Sequence, residues 1–215
     1  MSGLKGLIFD LDGVVVNTVP LHFKAWQKMF NEYGKDFDFE DYKNKVDGIP
    51  RLDGARAILT DISDEELAEA AKRKQNYYLG LLRNDEIEIY DKAVNFVKEA
   101  RAAGYKTAVA SSSKNCREVL KLAGLTELFE GVIDGNGFKK GKPAPEIFEN
   151  AADAIGLRAD EVVVFEDTKP GVEAAKNAHM KCVGIDRHDN PSLLKEADIV
   201  IKSFAEISLD KLKEL

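Results

Sequence analysis

The chain begins with a short apolar run, and from residue 87 onward similar runs alternate with amphipathic stretches. Short runs rich in Val and Ile favour buried strands, whereas apolar residues three and four positions apart favour helices. Strands are therefore predicted at Leu4–Asp12, Thr107–Ala110, Val132–Asp134, Val162–Phe165, Cys182–Ile185 and Ile199–Ile201. Helices predicted between most of them make this an α/β protein with a mostly parallel, doubly wound, Rossmann-like sheet.

Residues 17–83 break this alternation, because their apolar positions repeat with helical spacing only. Helices are predicted at about Asn17–Tyr33, Phe39–Val46, Arg51–Leu59 and Ser63–Leu82. Ser63 and Glu66 have the spacing of a capping box, which marks the start of the last of these helices. We therefore predict a core domain of residues 1–16 and 87–215 and an inserted α-helical domain of residues 17–86.

Composition narrows the class of protein. The 215 residues carry a formal net charge of -7, which disfavours nucleic acid and anionic membranes as partners. No apolar stretch approaches the length of a membrane span, and the N-terminus shows no signal-peptide pattern. Cys116 and Cys182 are far apart in sequence and are expected to be buried thiols. We expect a cytoplasmic protein that is a monomer.

The segment with the clearest chemistry is Phe9-Asp10-Leu11-Asp12-Gly13-Val14, at the end of the first predicted strand. Side chains two apart on a strand share a face, so Asp10 and Asp12 are expected to crowd one spot. Like charges this close raise each other's pKa, which a fold tolerates when a cation lies between them or when one carboxylate takes part in chemistry. An acidic pair alone is more often part of a solvated turn. Whether Asp10 and Asp12 form a catalytic site therefore depends on a hydroxyl, a lysine and a second acidic pair elsewhere in the chain.

Two further segments place polar side chains close to predicted helix starts. Residues 107–115 run from a strand into three serines, so Ser111 is predicted at a strand end where a phosphate can bind. The alternative is that Ser113 or Asn115 merely caps the next helix. Lys142 precedes two prolines and an amphipathic run, and a lysine held in a rigid turn can neutralise a carboxylate and a phosphate together. Its alternative is an exposed surface lysine.

A third segment supplies more carboxylates, because the strand Val162–Phe165 ends in Glu166 and Asp167. Ligands of a parallel sheet bind at the carboxyl ends of its strands, so Asp167 is expected beside Asp10. Mg2+ takes one or two carboxylates, keeps several waters and bridges to phosphate. The segment therefore predicts a magnesium site, and the alternative is a pair of acids that complements the dipole of the next helix.

FDLDGVVVNT, AVASSSKN, KPAPEIF and FEDTKPGVEA, in this order, resemble the four signature motifs of the haloacid dehalogenase superfamily. The resemblance implies that superfamily's α/β core with an inserted cap, an Asp10 nucleophile that forms an aspartyl phosphate, and Asp12 as general acid and base. It implies that the inserted residues 17–86 are this cap domain, with linkers near residues 15–22 and 82–89. It also implies that Ser111 and Lys142 stabilise the transferring phosphoryl group. The implied Mg2+ ligands are Asp10, the backbone carbonyl of Asp12, Asp167 and the neighbouring Glu166.

Within that superfamily the chain is similar to the β-phosphoglucomutases, in the run SSSKNCREVLKLAG and at three cap positions. The similarity implies that His22 hydrogen-bonds the acid/base, that Arg51 binds the distal phosphate of a sugar bisphosphate, and that Lys74 contacts the sugar ring. The implied substrate-binding set is completed by Thr18, Ser113, Lys114 and Asn115. Each of the three cap residues also has an alternative interpretation without a substrate. His22 can be a partly buried polar residue, Arg51 can snorkel over the surface, and Lys74 can be a solvated lysine on a charged helix face.

The cap loop departs from the family pattern. Residues 48–54 read GIPRLDG instead of Gly-x-Ser-Arg-Glu-Asp-Ser, and residues 90–92 read YDK instead of Tyr-Pro-Gly. These changes affect the identity of the expected sugar, and they leave the expectation of phosphoryl transfer unchanged.

The expected function is a mutase that interconverts β-glucose 1-phosphate and glucose 6-phosphate, with Mg2+ as cofactor and glucose 1,6-bisphosphate as activator. The alternative is a Mg2+-dependent phosphatase for a small phosphorylated sugar, in which water accepts the phosphoryl group. A binding protein without activity is disfavoured, because no core motif has lost its reactive residue.

Overall fold

A computed structural model describes residues 3–47, 49–84, 87–187 and 189–215 of the chain. The chain divides into two compact units, one of Met1–Asn17 with Ile87–Leu215 and the other of Thr18–Glu86. We call the first the core unit and the second the helical unit. Gly48 of the unusual cap loop and residues 85 and 86 of the second predicted linker lie outside the described residues.

The core unit is built on a six-stranded parallel sheet. The strands of the chain are β1 Gly6–Phe9, β2 Val16–Asn17, β3 Glu88–Ile89, β4 Lys106–Ala110, β5 Gly131–Ile133, β6 Val162–Glu166, β7 Lys181–Ile185 and β8 Ile199–Ile201. The sheet has the order β5-β4-β1-β6-β7-β8, and each neighbouring pair in it is parallel. The short strands β2 and β3 pair antiparallel in a separate ribbon. The predicted α/β class with a mostly parallel sheet is confirmed.

Helices connect most of these strands and make up the helical unit. They are α1 Val19–Glu32, α2 Phe39–Asp41, α3 Arg51–Arg56, α4 Asp64–Asn84, α5 Asp91–Ala102, α6 Cys116–Leu122, α7 Glu146–Ala154, α8 Lys169–Asn177 and α9 Leu209–Leu212. Short 3-10 helices lie at Thr126–Leu128, Ala159–Glu161, Pro191–Leu194 and Phe204–Glu206. Within the described ranges, no helix combines the length and the apolarity needed to cross a membrane.

The strand pleat divides the apolar core between the two faces of the sheet. Ile8 and Val164 lie in a buried cluster with residues of α7 and α8. Phe9 and Phe165, the next residue along each strand, stack with ring centroids 4.7 Å apart. The strand order reverses at β1: the chain adds β4 and β5 on one side of β1, and then β6, β7 and β8 on the other side. A ligand of such a sheet binds beyond the carboxyl ends of the strands at the point of reversal.

The first strand is shorter than the sequence predicts. β1 ends at Phe9, and a tight turn follows in which the N–H groups of Val15 and Val16 both donate to the carbonyl of Leu11, at 2.9 and 3.0 Å. The predicted extension of this strand to Asp12 is therefore wrong, although the Asp12 carboxylate still lies close enough to Asp10 to raise its pKa. The ribbon of β2 and β3 is also absent from the sequence prediction, because two-residue strands carry no periodic signal.

The helical unit folds around the apolar stripe of α1. Trp26, Met29 and Phe30 are buried there with residues of α3 and α4. Ser63 and Glu66 form the predicted capping box, in which each N–H donates to the other side chain, at 3.1 and 3.2 Å. The second predicted helix is helical over its whole length but changes from α2 to a π-helical turn at Tyr42–Val46, whereas the third is predicted too long, since α3 ends at Arg56.

Candidate active site

Two strand ends and one loop bring Asp10, Glu166 and Lys142 together in the core unit. Asp10 follows β1 directly, and its N–H donates to the carbonyl of Phe165 on β6 at 2.9 Å. Glu166 is the last residue of β6, on the same face of the sheet as Val164. Lys142, from the loop before α7, donates hydrogen bonds to both carboxylates. The side chains of Lys142, Asp10 and Glu166 are 11%, 8% and 1% exposed, so the contact is almost closed to solvent.

Asp167 joins these residues because Gly13 leaves room for it. Gly13 has φ +85°, which favours glycine, and a Cβ atom placed on it would lie 1.9 Å from Asp167 Oδ2. One carboxylate oxygen from each of Asp10, Glu166 and Asp167 lies within 4.8 Å of the others. Asp167 Oδ1 is buried and has no hydrogen-bond partner among the residues that the structure describes. We call these three residues the carboxylate cluster.

Burial and mutual repulsion change the pKa values in this cluster. Burial raises the pKa of Asp10 to about 7. Lys142 opposes this rise, whereas the neighbouring carboxylates of Glu166 and Asp12 add to it. Burial, followed by the charges of Glu166 and Asp10, raises the pKa of Asp167 well above its usual value. Burial alone would lower the pKa of Lys142, but its contacts with the two carboxylates raise it, so this ammonium group stays charged.

The carboxylate cluster suits a hard divalent cation. Its converging atoms are all carboxylate oxygens, which Mg2+ accepts together with water and phosphate oxygens. A cation there would offset the excess negative charge and would give Asp167 Oδ1 the partner that the described residues lack. The residues present therefore fit a magnesium ion.

Asp12 interacts with the end of β4. The hydroxyl of Ser111, the residue after β4, donates to Asp12 Oδ2 at 3.3 Å and accepts from the N–H of Ser113 at 3.1 Å. Ser113 Oγ in turn accepts from the N–H of Asn115 at 3.2 Å. The alternative of an Asn115 side-chain cap is wrong, since no such bond forms at the start of α6 within the described ranges. Lys114 is exposed on the same loop.

Sequence reasoning missed two residues that hold Glu166 in place. The N–H and the hydroxyl of Thr168 both donate to Glu166 Oε2, at 2.6 and 2.9 Å. A Cβ atom placed on Gly171 would lie 1.9 Å from the Glu166 carboxylate, so this position needs glycine. Thr168 also accepts from the Gly171 N–H at 3.2 Å as the N-cap of α8. A sequence pattern can suggest that cap, but it gives no sign of the bonds to Glu166.

A second cluster lies in the helical unit, between α1 and α4. Lys74 of α4 is only 4% exposed, although it belongs to a charged run. Its Nζ lies 2.8 Å from His22 Nδ1 and 4.8 Å from the centroid of the Trp26 ring. The His22 ring stacks on Tyr78, with 4.0 Å between the centroids. The alternative of a solvated lysine is therefore wrong for Lys74.

Arg51 adds a second cation to this region, and we call Arg51, Lys74 and His22 the cationic cluster. The Arg51 guanidinium donates to Gln75 Oε1. Burial, and then the charge of Arg51, lowers the pKa of Lys74 to about 7. Burial and these two cations also hold the pKa of His22 well below its usual range, which favours a neutral ring beside Lys74. Thr18 is buried before α1, and its carbonyl accepts from the His22 N–H at 3.0 Å.

Comparisons with known proteins place the chain in a family. Residues 4–179 match the family model of haloacid dehalogenase-like hydrolases. The chain is 34% identical, over 239 aligned positions, to a β-phosphoglucomutase of Mycobacterium bovis, an alignment that covers 95% of this chain and 91% of the relative. The chain belongs to the haloacid dehalogenase superfamily and is β-phosphoglucomutase-like. The resemblance drawn from its four motifs is therefore confirmed.

Other relatives of this β-phosphoglucomutase-like chain differ in the reaction that their names give. A phosphorylated carbohydrates phosphatase of Thermotoga maritima is 32% identical over 227 aligned positions, covering 99% of this chain and all (100%) of the relative. The crystal structure of a β-phosphoglucomutase from Clostridium difficile has a TM-score of 0.84 at 29% identity, and covers 98% of this chain and 96% of that one. The comparisons therefore support an enzyme of the phosphotransferase and hydrolase class, with mutases and phosphatases both among its relatives.

Proposed function

We propose that the protein is a sugar phosphate mutase that interconverts β-glucose 1-phosphate and glucose 6-phosphate through glucose 1,6-bisphosphate. The observation that carries the proposal is the presence of two clusters of opposite charge, a carboxylate cluster that fits Mg2+ and a cationic cluster around the buried Lys74. A sugar bisphosphate needs two phosphate-binding sites, one for the phosphoryl group that is transferred and one for the distal phosphate that is not. Hydrolysis of a simple ester needs only the first.

Asp10 and Asp12 carry the bond changes in this proposal. A carboxylate oxygen of Asp10 attacks the phosphorus of the donor, the bond from phosphorus to the leaving oxygen breaks, and Asp12 gives that oxygen a proton. A sugar hydroxyl then attacks the aspartyl phosphate, Asp12 takes the proton of that hydroxyl, and the bond between phosphorus and Asp10 breaks. Ser111, which bonds Asp12, and Lys142, which bonds Asp10, donate to the phosphoryl oxygens.

The carboxylate cluster is proposed to bind the metal ion. Asp10, Glu166, Asp167 and the backbone carbonyl of Asp12 are the proposed ligands of Mg2+, and the bound ion supplies positive charge for the phosphoryl group in transfer. Thr168 fixes one of these ligands by donating twice to Glu166. With Mg2+ held by these residues, Asp10 would be in its ionised form, which is the form that attacks.

The helical unit is proposed to supply specificity for the sugar phosphate. Arg51 would bind the distal phosphate of the sugar bisphosphate, and Lys74 would contact the sugar ring. His22 bonds Lys74 in this structure, so its hydrogen bond to the acid/base stays a proposal. The other proposed substrate-binding residues are Thr18, Ser113, Lys114 and Asn115.

One departure from the family cap loop has a packing reason. Gly54 stands where the family pattern has serine, and a Cβ atom placed on it would lie 3.0 Å from the Trp26 ring. A serine would therefore require the ring to shift, and this side of α3 packs on the core of the helical unit. The position offers no hydroxyl to a substrate, so we propose that recognition of the sugar depends on the cationic cluster.

A sugar phosphate phosphatase is the second candidate. It is favoured by the phosphatase among the relatives and by two apolar residues beside Arg51, since Ile49 and Leu52 are 42% and 49% exposed. Such neighbours offer no polar contact to a second phosphate. In a phosphatase, water instead of a sugar hydroxyl takes the phosphoryl group from Asp10.

The test incubates the protein with Mg2+, β-glucose 1-phosphate and a catalytic amount of glucose 1,6-bisphosphate, and follows glucose 6-phosphate and free phosphate together. A mutase forms glucose 6-phosphate with little phosphate release. Phosphate release without glucose 6-phosphate would reject the mutase and leave the phosphatase. Arg51→Ala is expected to cripple the mutase reaction and to spare hydrolysis of aryl phosphates, with the exposed Arg83→Ala as a matched control.

A further inference from the structure

Arg187 connects three segments of the core unit that are far apart in sequence. It lies two residues after β7, and its Nε donates to the carbonyl of Gly13 at 2.6 Å. Its Nη2 donates to the carbonyl of Val14 at 3.5 Å. The guanidinium carbon lies 3.8 Å from the centroid of the Tyr90 ring, well within the range of a cation–π contact.

The two carbonyls belong to the turn that carries Asp12. In this turn the N–H of Gly13 donates to the carbonyl of Val16 at 2.8 Å, and Asp12 forms an isolated bridge with Val16. A charged donor forms a stronger hydrogen bond than a neutral one, and the planar fork of arginine can fix two acceptors at once. Arg187 therefore restrains the turn immediately after the proposed acid and base.

Tyr90 ties the same arginine to the ribbon of β2 and β3. The Tyr90 N–H donates to the carbonyl of Val15 at 3.0 Å, directly after β3. Val16 of β2 pairs with Ile89 of β3, so the turn continues into the ribbon without a break. One guanidinium group thus contacts both the turn and the residue that directly follows β3.

The segment that presents Arg187 is itself anchored to the sheet. Asp186 is 7% exposed, and its carboxylate accepts from the N–H of Asn190 at 3.0 Å. Its N–H donates to the carbonyl of Ile201 on β8 at 2.8 Å. An arginine whose backbone is fixed and whose side chain is stacked loses little further freedom when it bonds the turn.

We propose that Arg187 is a positioning residue for phosphoryl transfer, which holds the turn against the ribbon and so keeps Asp12 where Ser111 bonds it. The inference rests on the proposed function, since it concerns the step in which Asp12 moves a proton. Arg187 forms its contacts with backbone carbonyls and an aromatic ring, so its loss is expected to lower turnover rather than substrate binding.

Amide hydrogen exchange gives a first test that does not depend on activity. Arg187→Ala is expected to speed exchange in residues 11–17 and 87–91 by about tenfold, because the turn and the ribbon lose a shared restraint. Arg158→Ala, which removes an exposed arginine of the same unit, is the matched control and leaves these segments unchanged. Exchange in Arg187→Ala equal to that of the wild type overturns the proposal.

Turnover of p-nitrophenyl phosphate and β-glucose 1-phosphate with Mg2+ is the second test. For Arg187→Ala we expect kcat to fall between about tenfold and about a hundredfold, with KM changed by less than about threefold, as for a misplaced catalytic group. Millimolar guanidinium chloride is expected to restore part of this kcat, which it would not do for a misfolded chain. A raised KM at unchanged kcat overturns the positioning role.

A conservative variant keeps the proposal testable where the alanine variant does not fold. Arg187→Lys retains the positive charge and loses the planar fork of the guanidinium group. Its amide exchange rates and its kcat are therefore both expected to lie between those of the wild type and those of Arg187→Ala. Wild-type values of both in Arg187→Lys would overturn the role of the fork. A wild type that turns over neither ester rejects the proposed function instead, and hydrogen exchange then still tests the contacts.

Discussion

The core unit and the helical unit each contain a cluster around buried charged groups in which one sign of charge prevails, and the two signs are opposite. In the core unit carboxylates outnumber the ammonium of Lys142, and burial raises the pKa of Asp10 to about 7. In the helical unit Lys74 lies near Arg51, and burial lowers the pKa of Lys74 to about 7. Loss of solvation and repulsion between like charges thus move an acid and a base in opposite directions.

The opposite signs of charge indicate which kind of ligand suits each unit. A cluster with excess negative charge is completed by a cation, and a cluster with excess positive charge is completed by an anion. Packing alone does not explain Lys74, because burying a lysine at 4% exposure near a second cation destabilises a fold. The proposed magnesium ion would meet the first requirement, and the proposed sugar phosphate would meet the second.

The largest expected effect comes from Asp10→Asn, which removes the proposed nucleophile. Turnover of any phosphate ester is expected to fall by about 10^4-fold or more, because no aspartyl phosphate can form. The melting temperature of the metal-free protein, measured with EDTA at pH 8, is expected to rise, since a carboxylate that is costly to ionise is gone. Asp153→Asn, on the exposed side of α7, is the control and changes neither quantity. Normal turnover by Asp10→Asn would contradict the mechanism.

Lys142→Met tests the balance of the carboxylate cluster. Removal of one partner from a buried ion pair costs about 3 to 5 kcal/mol, so the metal-free variant is expected to unfold at a lower denaturant concentration. Mg2+ is expected to recover part of this loss, because it replaces the missing positive charge. Urea unfolding with and without Mg2+ measures both effects. A variant as stable as the wild type without metal would mean that the carboxylates are not ionised together.

Lys74→Met applies the corresponding change to the cationic cluster, and its effect on stability is expected to have the opposite sign. Loss of a buried cation is expected to raise the free energy of unfolding at pH 6, while turnover of β-glucose 1-phosphate falls between about tenfold and about a hundredfold, as for a lost charged hydrogen bond. Hydrolysis of acetyl phosphate is expected to stay unchanged. Lys72→Met, two residues away and exposed, is the matched control. Equal loss on both substrates would remove the link between Lys74 and the sugar.

The smallest effect is a pH dependence that separates the two units. The folded pKa of Asp10 lies above its ordinary value of 3.8, so folding takes up a proton between about pH 4 and about pH 7, and stability falls as pH rises through that window. The folded pKa of Lys74 lies below its ordinary value of 10.5, so folding releases a proton between about pH 7 and about pH 10, and stability rises there.

Differences between variants isolate these two groups from the rest of the chain. In metal-free protein, the stability gained by Asp10→Asn is expected to grow from about pH 4 to about pH 7, and the gain of Lys74→Met to shrink from about pH 7 to about pH 10. Thermal unfolding across this range with EDTA checks both slopes. Flat difference curves would show that burial does not shift the pKa of either group.

The strand ends in the core unit could be predicted because each follows an apolar run and carries a reactive side chain. Asp10, Ser111 and Asp167 were identified in this way, and the parallel sheet brings their strands together. Thr168 and Gly171 were missed as supports of Glu166, because a cap threonine and a helix glycine have ordinary local uses. The length of β1 was overestimated, since apolar periodicity continues through the turn that follows it.

The class of fold, the family and the polar side chains at the strand ends can all be predicted from the amino-acid sequence. These predictions depend on local patterns, namely the periodicity of apolar residues, capping signals and short motifs. The folded structure is needed to show that Lys74 is buried beside His22 and that Arg187 reaches the carbonyl of Gly13, 174 positions away in sequence. Such contacts depend on how distant segments pack against one another, and no local pattern records which side chains will meet.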